Sequence, residues 1–213
     1  YLSLSTMHHT KNQHNWKDRL FDTNILKNKN NKELVNIFFA RSNILHKERK
    51  YKDSAENLIK ANNLKLMMHK SEANLLIKKT EKLKILSEKY QKNHKAFSSN
   101  PIFIFIVGLP RCGSTLVESI ITLNNEVKDL GEINIFEESY REFLQSDQKV
   151  NLAEIYEKKS RIIYQKHNIS TNKWLFNYQY AGIIATTIPN AKIIHCYRNP
   201  LDNILSIYRA HFG

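Results

Sequence analysis

The fold is decided by one stretch of sequence, Phe103-Ile104-Phe105-Ile106-Val107-Gly108-Leu109-Pro110-Arg111-Cys112-Gly113-Ser114-Thr115. An apolar strand runs into a loop bracketed by two glycines, and an apolar helix follows the loop. A strand, a glycine-containing turn and a helix N-terminus together present backbone N–H groups and the positive end of a helix dipole to an anion. The pattern therefore predicts a phosphate-binding loop, to which Ser114 and Thr115 add hydroxyl donors.

The cation of this loop is not where an ordinary nucleotide-binding loop has it. Gly108 and Gly113 have the spacing of the Walker A motif, but Ser114 stands where that motif has its lysine, and Arg111 lies inside the loop instead. A nucleotide or nucleoside kinase, which needs that lysine and usually a carboxylate at a strand tip for Mg²⁺, stays open as an alternative. The replacement of the loop lysine by Arg111 favours a phosphate chemistry other than that of the Walker A nucleotide-binding proteins.

Composition limits the classes of protein to consider. A chain of 213 residues can bury one good core, or a modest core with a helical appendage. Its two cysteines provide neither a disulfide framework nor a Cys-x-x-Cys metal motif, which favours a reducing, cytoplasmic location. The longest apolar run, residues 102–107, is far shorter than the ~20 residues of a membrane helix, so we expect no membrane partner. The sequence begins at Tyr1, and an upstream targeting segment stays open.

The net charge of +13 is concentrated in one half of the chain. Residues 1–100 hold 21 of the 33 Lys and Arg but 9 of the 20 Asp and Glu, which leaves 12 and 11 for residues 101–213. The excess consists mostly of lysines among glutamates at helical spacing, which is typical of a solvated helix face. No aromatic-basic recognition motif accompanies it, so nucleic acid is not an expected partner.

Residues 1–100 are expected to form an all-helical segment. Leu34, Ile37, Phe38 and Leu45 fall on one helical face, and a second helix follows from Tyr51. The pair resembles one tetratricopeptide unit, although a plain helical hairpin fits as well, and either could bind a protein partner. A third helix is predicted over residues 71–91, with an apolar stripe that holds Leu75, Leu76, Leu83, Leu86 and Tyr90. The stretch from His94 to Pro101 is the predicted domain boundary, near residue 100.

Strands and helices alternate beyond that boundary. Alternation with nearly continuous apolar strands predicts an α/β fold with a P-loop-like parallel sheet, flanking helices, and ligands at the C-terminal strand ends. The predicted strands cover residues 102–107, 169–174 and 192–197, and the predicted helices 113–123, 133–145, 152–167, 177–188 and 199–212.

A second phosphate cradle is predicted where the strand 192–197 ends. The strand brings Arg198 to its tip, and Asn199-Pro200 opens a helix by an N-cap and a first-turn proline. An apolar stripe on that helix includes Leu201, Ile204 and Leu205, so Ser206 falls on the opposite, polar face with Asn199 and Asn203. An arginine fork and a serine hydroxyl could together hold a phosphate.

With both cradles in view, the chain resembles the sulfotransferase superfamily that uses 3′-phosphoadenosine 5′-phosphosulfate (PAPS). It looks most like the tetratricopeptide-linked bacterial sulfotransferases and, more distantly, the protein-tyrosine sulfotransferases, over roughly residues 30–213. The residues that carry the likeness are the loop from Ile106 to Glu118, Leu-Gly-Glu at 130–132, and the block from Arg198 to Ser206. Three separations also look like those of the tyrosine-sulfating branch: 21 residues from Arg111 to Glu132, 25 from Lys173 to Arg198 and 8 from Arg198 to Ser206.

The resemblance implies a role for each matched residue. Arg111, Gly113, Ser114 and Thr115 would hold the 5′-phosphosulfate with the Cys112 backbone N–H, and Arg198 and Ser206 would hold the 3′-phosphate. Glu132 would be the base that takes the proton of the acceptor hydroxyl, and Lys173 would donate to the bridging oxygen as the sulfuryl group leaves. Tyrosine, sugar and small-molecule hydroxyls all suit such a pair. The chemistry needs no metal, since in-line transfer depends on positioning and on neutralising the charge of the leaving phosphate.

Several positions depart from the family pattern. Cys112 replaces the usual serine, so a redox role stays open for a thiol at a helix N-terminus. Asn172-Lys173-Trp174 replaces Asp-Lys-x-Pro, which leaves the orientation of Lys173 open. Glu137 or Glu138 could replace Glu132 as the functional acid, and a base at neutral pH would need Glu132 to be partly buried.

The family fold continues past the helix that holds the 3′-phosphate. The chain is therefore expected to lack the C-terminal part, and alone to bind the donor poorly and turn over little. A helical scaffold with a catalytically decayed module stays a non-enzymatic alternative.

Overall fold

A computed structural model describes residues 1–6, 14–90 and 101–212. Their contacts divide the chain into two compact units, one formed by Tyr1–Glu72 with Ile204–Gly213 and the other by Ala73–Asn203. The predicted boundary near residue 100 falls in a stretch outside the described residues. That boundary therefore stays a prediction. The contacts themselves divide the chain between residues 72 and 73, and the third predicted helix belongs to the second unit.

The first unit is helical, as the sequence predicts. Its centre is a hairpin of α3 (Asn31–Lys47) and α4 (Tyr51–Met68). Ser42 and Ser54 lie in their contact and share a buried hydrogen bond of 3.0 Å between their hydroxyl oxygens. Ala61 of α4 is fully buried. Small side chains at these points let the two helices approach closely. The helices are α1 (Leu2–Thr6), α2 (His14–Phe21), α3 (Asn31–Lys47) and α4 (Tyr51–Met68), with a 3₁₀ turn at Thr23–Leu26.

The buried side of α3 is wider than one stripe. Ile37 packs with Leu20 of α2, whereas Val35 and Phe39 pack with Leu58 of α4. The predicted face was therefore incomplete, and Phe38 is only partly buried. The physical reason is that α3 has a neighbouring helix on each side, so apolar side chains are needed around most of its circumference.

The second unit contains a four-stranded, all-parallel sheet. The strand order is β2 (Val127–Asp129), β3 (Ile169–Asn172), β1 (Ile102–Gly108) and β4 (Ala191–Cys196). This arrangement confirms the predicted α/β class. The short strand β2 was not predicted, the helix predicted over 177–188 begins as a 3₁₀ turn at Leu175–Tyr180, and the strand predicted over 169–174 ends at Asn172. The strands are β1 (Ile102–Gly108), β2 (Val127–Asp129), β3 (Ile169–Asn172) and β4 (Ala191–Cys196). The helices are α5 (Ala73–Lys89), α6 (Ser114–Ile121), α7 (Ile135–Gln145), α8 (Leu152–Tyr164), α9 (Ala181–Thr187) and α10 (Pro200–Arg209).

The core of the second unit is built around aromatic rings. Phe105 of β1 is fully buried, and its ring centroid lies 5.9 Å from that of Phe136 and 5.4 Å from that of Tyr156. Leu83 of α5 joins the same core, but Leu75 and Leu76 are exposed, so the predicted stripe of α5 is buried only in its second half. Aromatic pairs of this geometry add about 0.5–1.5 kcal/mol each beyond the burial of their area.

Parallel pairing places the C-terminal ends of all four strands at one edge of the sheet. Gly108, Asp129, Asn172 and Cys196 end the strands, so the segments that follow them meet there. The sequence predicted this edge as the place where ligands bind.

Candidate functional site

The loop between β1 and α6 depends on unusual backbone angles. Arg111 has φ +68°, Gly113 has φ +100° and Gly108 has φ +153°. At Gly108 a Cβ atom would lie 2.5 Å from the carbonyl oxygen of Cys196 and 3.0 Å from Cys112 Sγ. Only glycine fits where β1 passes β4 this closely. The loop is therefore shaped by its glycines, and Arg111 adopts a left-handed conformation that non-glycine residues rarely take.

The helix α6 begins at the end of this loop and offers its first-turn N–H groups, which have no acceptor within a helix. Ser114 is buried and Thr115 is exposed. The Cys112 N–H donates to the Leu109 carbonyl at 3.3 Å, so its expected role toward a ligand would require that bond to be given up. Backbone donors, two hydroxyls and the exposed Arg111 side chain form a donor set of the kind that binds phosphate or sulfate groups.

Arg198 lies beside the same loop. Its Nη1 donates to the Arg111 carbonyl oxygen at 3.4 Å, and its side chain is exposed to solvent. The strand β4 brings it there, because β4 pairs with β1 in register up to Gly108 and Cys196. The two arginines predicted for opposite ends of a ligand therefore lie on adjacent segments.

Asn203 is a residue of this region whose role was not predicted from the sequence. It is 2% exposed, and its Nδ2 donates to the Pro110 carbonyl at 2.7 Å, which ties α10 to the phosphate loop. Asn199 caps the same helix by accepting from the N–H of Leu201 at 3.0 Å. The signal in the sequence was the polar face shared by positions 199 and 203.

The other face of α10 differs from the expectation. The apolar stripe is exposed, with Leu201 at 79% and Ile204 at 60%, because the buried side of the helix is the one that carries Asn203. Ser206 is partly buried, and it belongs to the part of α10 that groups with the first unit. Its role in holding a phosphate stays a prediction.

Lys173 lies at the centre of a cluster of charged groups. Its Nζ donates to Glu132 Oε1 at 2.6 Å and to Thr115 Oγ1 at 3.4 Å, and it lies 3.6 Å from Glu118 Oε2. The Lys173 side chain is 6% exposed. The structure thus joins the predicted acid, the predicted base and the first turn of the phosphate-loop helix.

The backbone around Lys173 explains its orientation. The Lys173 N–H donates to the Gly131 carbonyl at 3.0 Å, and the Leu130 N–H donates to the Thr171 carbonyl at 2.8 Å. These bonds bring the segment after β2 beside the end of β3. The buried Asn172 side chain accepts from the Trp174 N–H at 3.1 Å and from Asn177 Nδ2 at 2.9 Å. Asparagine here holds the turn that aims Lys173.

The ionisation of Lys173 is set by opposing effects. Burial by itself lowers the pKa of the ammonium group, but the hydrogen bond to Glu132 and the charges of Glu118 and Glu132 outweigh burial and hold the pKa above its usual value. Lys173 is therefore a firmly charged donor at neutral pH.

Glu132 does not have the burial that was assumed for it. Its side chain is 61% exposed. Glu132 lies in the irregular segment between β2 and α7, outside any helix or strand. The alternative acids are placed elsewhere: Glu137 pairs with Lys79 of α5 at 2.8 Å, and Glu138 is exposed. Of these three carboxylates, Glu132 is the one that contacts Lys173.

The two cysteines lie next to each other. Burial raises the pKa of the Cys196 thiol, and the neighbouring Cys112 raises it further. Cys196 is 8% exposed. Among residues 1–6, 14–90 and 101–212, no group of three or more His, Cys, Asp or Glu could hold a metal ion. Within the same residues no helix is both long and apolar enough to cross a membrane.

Comparison with known proteins gives two findings. The model of the sulfotransferase family matches residues 101–213, slightly more than half of the chain. An uncharacterised protein of Aquifex aeolicus (strain VF5) is 27% identical over 201 residues, which covers 82% of this chain. The chain spans about a quarter, 26%, of the length of that relative. No solved structure gives a significant match.

Proposed function

We propose that this chain, which belongs to the sulfotransferase family, binds PAPS and transfers its sulfuryl group to an acceptor hydroxyl. The observation that carries the proposal is the position of Lys173, whose Nζ contacts both Thr115 of the phosphate-loop helix and Glu132. The family match favours this reading over the kinase alternative, as does the serine at the position of the loop lysine. The likeness to the tetratricopeptide-linked bacterial and tyrosine-sulfating branches stays a prediction.

The donor would be held by the phosphate loop and α10. Backbone N–H groups from Gly113 onward, the Ser114 and Thr115 hydroxyls and the Arg111 guanidinium would bind the 5′-phosphosulfate. Arg198 and Ser206 would bind the 3′-phosphate. The contact of Arg198 with the Arg111 carbonyl supports this assignment for Arg198, because it places a second guanidinium beside the loop.

Glu132 and Lys173 would share the chemical step. The acceptor oxygen attacks sulfur, its proton passes to Glu132, and the bond between sulfur and the bridging oxygen breaks. Lys173 donates a hydrogen bond to that bridging oxygen and offsets the charge that develops on the leaving phosphate. The 61% exposure of the Glu132 side chain leaves the carboxylate open to an acceptor from solvent, although it lacks the burial that the sequence argument required of a base.

The acceptor would be a tyrosine, sugar or small-molecule hydroxyl. The helical segment is proposed as a place for a protein partner, and we propose a cytoplasmic location. We propose no nucleic-acid partner, no membrane partner and no metal for this chain.

Ligand binding tests the donor assignment. Adenosine 3′,5′-bisphosphate is expected to raise the melting temperature of the chain, by the equivalent of about 1.4 kcal/mol at ten times its Kd, whereas ATP with Mg²⁺ is not. Calorimetry of Arg198→Ala is expected to show a weakened isotherm, with Lys192→Ala, an exposed cation on β4, as the matched control. A larger shift with ATP and Mg²⁺, or equal binding by Arg198→Ala and Lys192→Ala, contradicts the proposal.

A further inference from the structure

Glu118 is a buried carboxylate that the proposed mechanism does not use. It lies on the otherwise apolar and hydroxyl-bearing helix α6, and its side chain is 10% exposed. Ionised carboxylates are almost never buried unless they are paired and hydrogen-bonded. The partners of Glu118 therefore indicate why it is there.

Both oxygens of Glu118 have partners on or beside β3. Oε1 accepts a hydrogen bond from the Thr171 hydroxyl at 3.0 Å, and Oε2 lies 3.6 Å from Lys173 Nζ. Thr171 is fully buried and paired within the sheet. Glu118 is consequently fixed between the phosphate-loop helix and the end of β3.

Glu132, the other carboxylate that contacts Lys173, is far more exposed to solvent than Glu118. Glu132 contacts Nζ at 2.6 Å but is 61% exposed, and it lies on an irregular segment rather than on a helix. When Glu132 turns to an acceptor hydroxyl it must loosen this contact. Lys173 then needs a counter-ion that stays in place.

We infer that Glu118 is the positioning residue that retains Lys173 beside the phosphate loop while Glu132 leaves it to take the acceptor proton. The inference rests on the proposed function. Glu118 does not touch the reacting atoms and acts through Lys173. One carboxylate is exchangeable and serves as base, and the other is a permanent counter-ion. The arrangement also keeps the Lys173 ammonium charged after Glu132 has become protonated and neutral.

A titration that needs no ligand tests the ion pair. The charged groups that act on Lys173 are Glu118 of α6 and Glu132 of the segment after β2, and Thr115 adds a neutral hydroxyl. Lysines labelled biosynthetically with ¹³C and ¹⁵N can be titrated by NMR through their Cε and Nζ signals, with the Lys173 signal assigned by its loss in Lys173→Arg. Glu118→Gln is expected to lower the Lys173 midpoint by about one pH unit. Glu126→Gln, which removes an exposed carboxylate from the turn after α6, is expected to leave it unchanged.

A second variant covers a failure of Glu118→Gln to fold. Thr171→Val keeps the shape of the buried side chain and removes the hydrogen bond that anchors Glu118, so it is expected to lower the same midpoint by a smaller amount. An unchanged Lys173 midpoint in a folded Glu118→Gln protein, or in Thr171→Val where only that variant folds, overturns the inference.

Turnover connects the ion pair to catalysis. With PAPS and a phenolic acceptor, Glu118→Gln is expected to lower kcat about tenfold or more, to leave the KM for PAPS within about twofold, and to move the alkaline limb of the kcat profile to lower pH. Glu118→Asp should restore part of kcat. A purely structural role would reduce the amount of folded protein without moving the limb.

The two levels of proposal fail separately. If the unchanged chain shows neither weak binding of adenosine 3′,5′-bisphosphate at millimolar concentration nor slow but measurable sulfate transfer, the proposed function fails, while the NMR titration still reports on Glu118. If the chain is active and Glu118→Gln has the same kcat and the same alkaline limb, the proposed function stands and the role of Glu118 is overturned.

Discussion

Gly108 ends β1 at a point where the neighbouring strand leaves no room for a side chain. A Cβ atom there would lie 2.5 Å from a backbone oxygen of Cys196, and φ is +153°. We expect Gly108→Ala to lower the free energy of unfolding by about 2–4 kcal/mol, measured by urea denaturation, because both the clash and the backbone angle oppose it.

Gly131→Ala is the matched control for that substitution. Gly131 has φ +68°, but a Cβ atom there would meet nothing within 4 Å. Its cost should be limited to the backbone angle, about 1–2 kcal/mol. Equal losses at the two positions would show that the close approach to Cys196 contributes nothing.

Lys173 is the other residue whose replacement has a large expected effect. Lys173→Met removes the cation from the buried Glu118, and breaking a buried pair from one side costs about 3–5 kcal/mol. Lys79→Met serves as the control. Lys79 is 40% exposed in its pair with Glu137, so this substitution should lower the free energy of unfolding by about 1 kcal/mol or less. Comparable unfolding free energies for the two variants would contradict this.

The pH dependence of Lys173 follows from the direction of its shift. Its pKa is raised in the folded chain, so the charged form is favoured by folding. The stabilisation is fully present below the unfolded pKa of about 10.4 and is lost as pH rises through the higher folded value. The difference in unfolding free energy between the unchanged chain and Lys173→Met should therefore be constant from pH 6 to 9 and shrink above about pH 10.4. A difference that shrinks between pH 6 and 9 would contradict the raised pKa.

Sequence reasoning found some of the residues of this cluster and missed others for a physical reason. Lys173 and Glu132 were predicted from motif spacing, and the structure places them in contact. Glu118 appeared only as the last residue of the loop motif and received no role, since a one-dimensional pattern does not show that a helix buries its carboxylate. The signal available was a lone charge in the run Leu116-Val117-Glu118-Ser119-Ile120.

Among the elements, those with long periodic patterns were predicted and the short ones were not. The strand β1 has an apolar run and was placed within one residue of its observed end. The strand β2 covers Val127–Asp129, which is too short for any alternation to be visible, and it exists because β3 pairs with it. Pairing with β3, rather than local sequence preference, therefore determines that these residues form a strand.

The helix α10 acts as an element through its contact with the phosphate loop. Asn203→Ala should remove the hydrogen bond to the Pro110 carbonyl and cost about 1–3 kcal/mol of unfolding free energy, since that oxygen is then left without its donor. A looser loop should bind adenosine 3′,5′-bisphosphate about fivefold more weakly, the equivalent of about 1 kcal/mol, by calorimetry.

Asp202→Asn controls for the position on the helix, because Asp202 is exposed and is its neighbour in sequence. Its stability and affinity should stay close to those of the unchanged chain. If Asn203→Ala binds the bisphosphate as tightly as Asp202→Asn does, the contact does not order the loop.

At the scale of the whole molecule, the α/β class and the all-helical N-terminal segment were predictable because hydrophobic periodicity fixes both. The domain boundary near residue 100 stays a prediction, because it lies outside the part of the chain that the structure describes, but the membership of the third predicted helix was not predictable. The helix α5 packs Leu83 and Leu86 into the sheet unit, although its lysines continue the composition of the preceding helices. Composition shows which helix faces are solvated, whereas the unit to which a helix belongs depends on the core against which its apolar face packs.

The charge of the whole molecule leads to the last prediction. With a net charge of +13 and exposed lysines such as Lys82 and Lys84 on α5, the chain should bind a single-stranded oligonucleotide at about 20–50 mM salt and lose that binding by about 200 mM. Such binding reflects counterion release and not a recognition site. Fluorescence anisotropy should therefore show that adenosine 3′,5′-bisphosphate does not displace the oligonucleotide. The double variant Lys82→Gln, Lys84→Gln should bind the oligonucleotide more weakly. Arg198→Ala should weaken oligonucleotide binding by no more than the loss of one charge. Binding that survives 200 mM salt, or that the bisphosphate displaces, would instead indicate a nucleic-acid site that overlaps the phosphate loop.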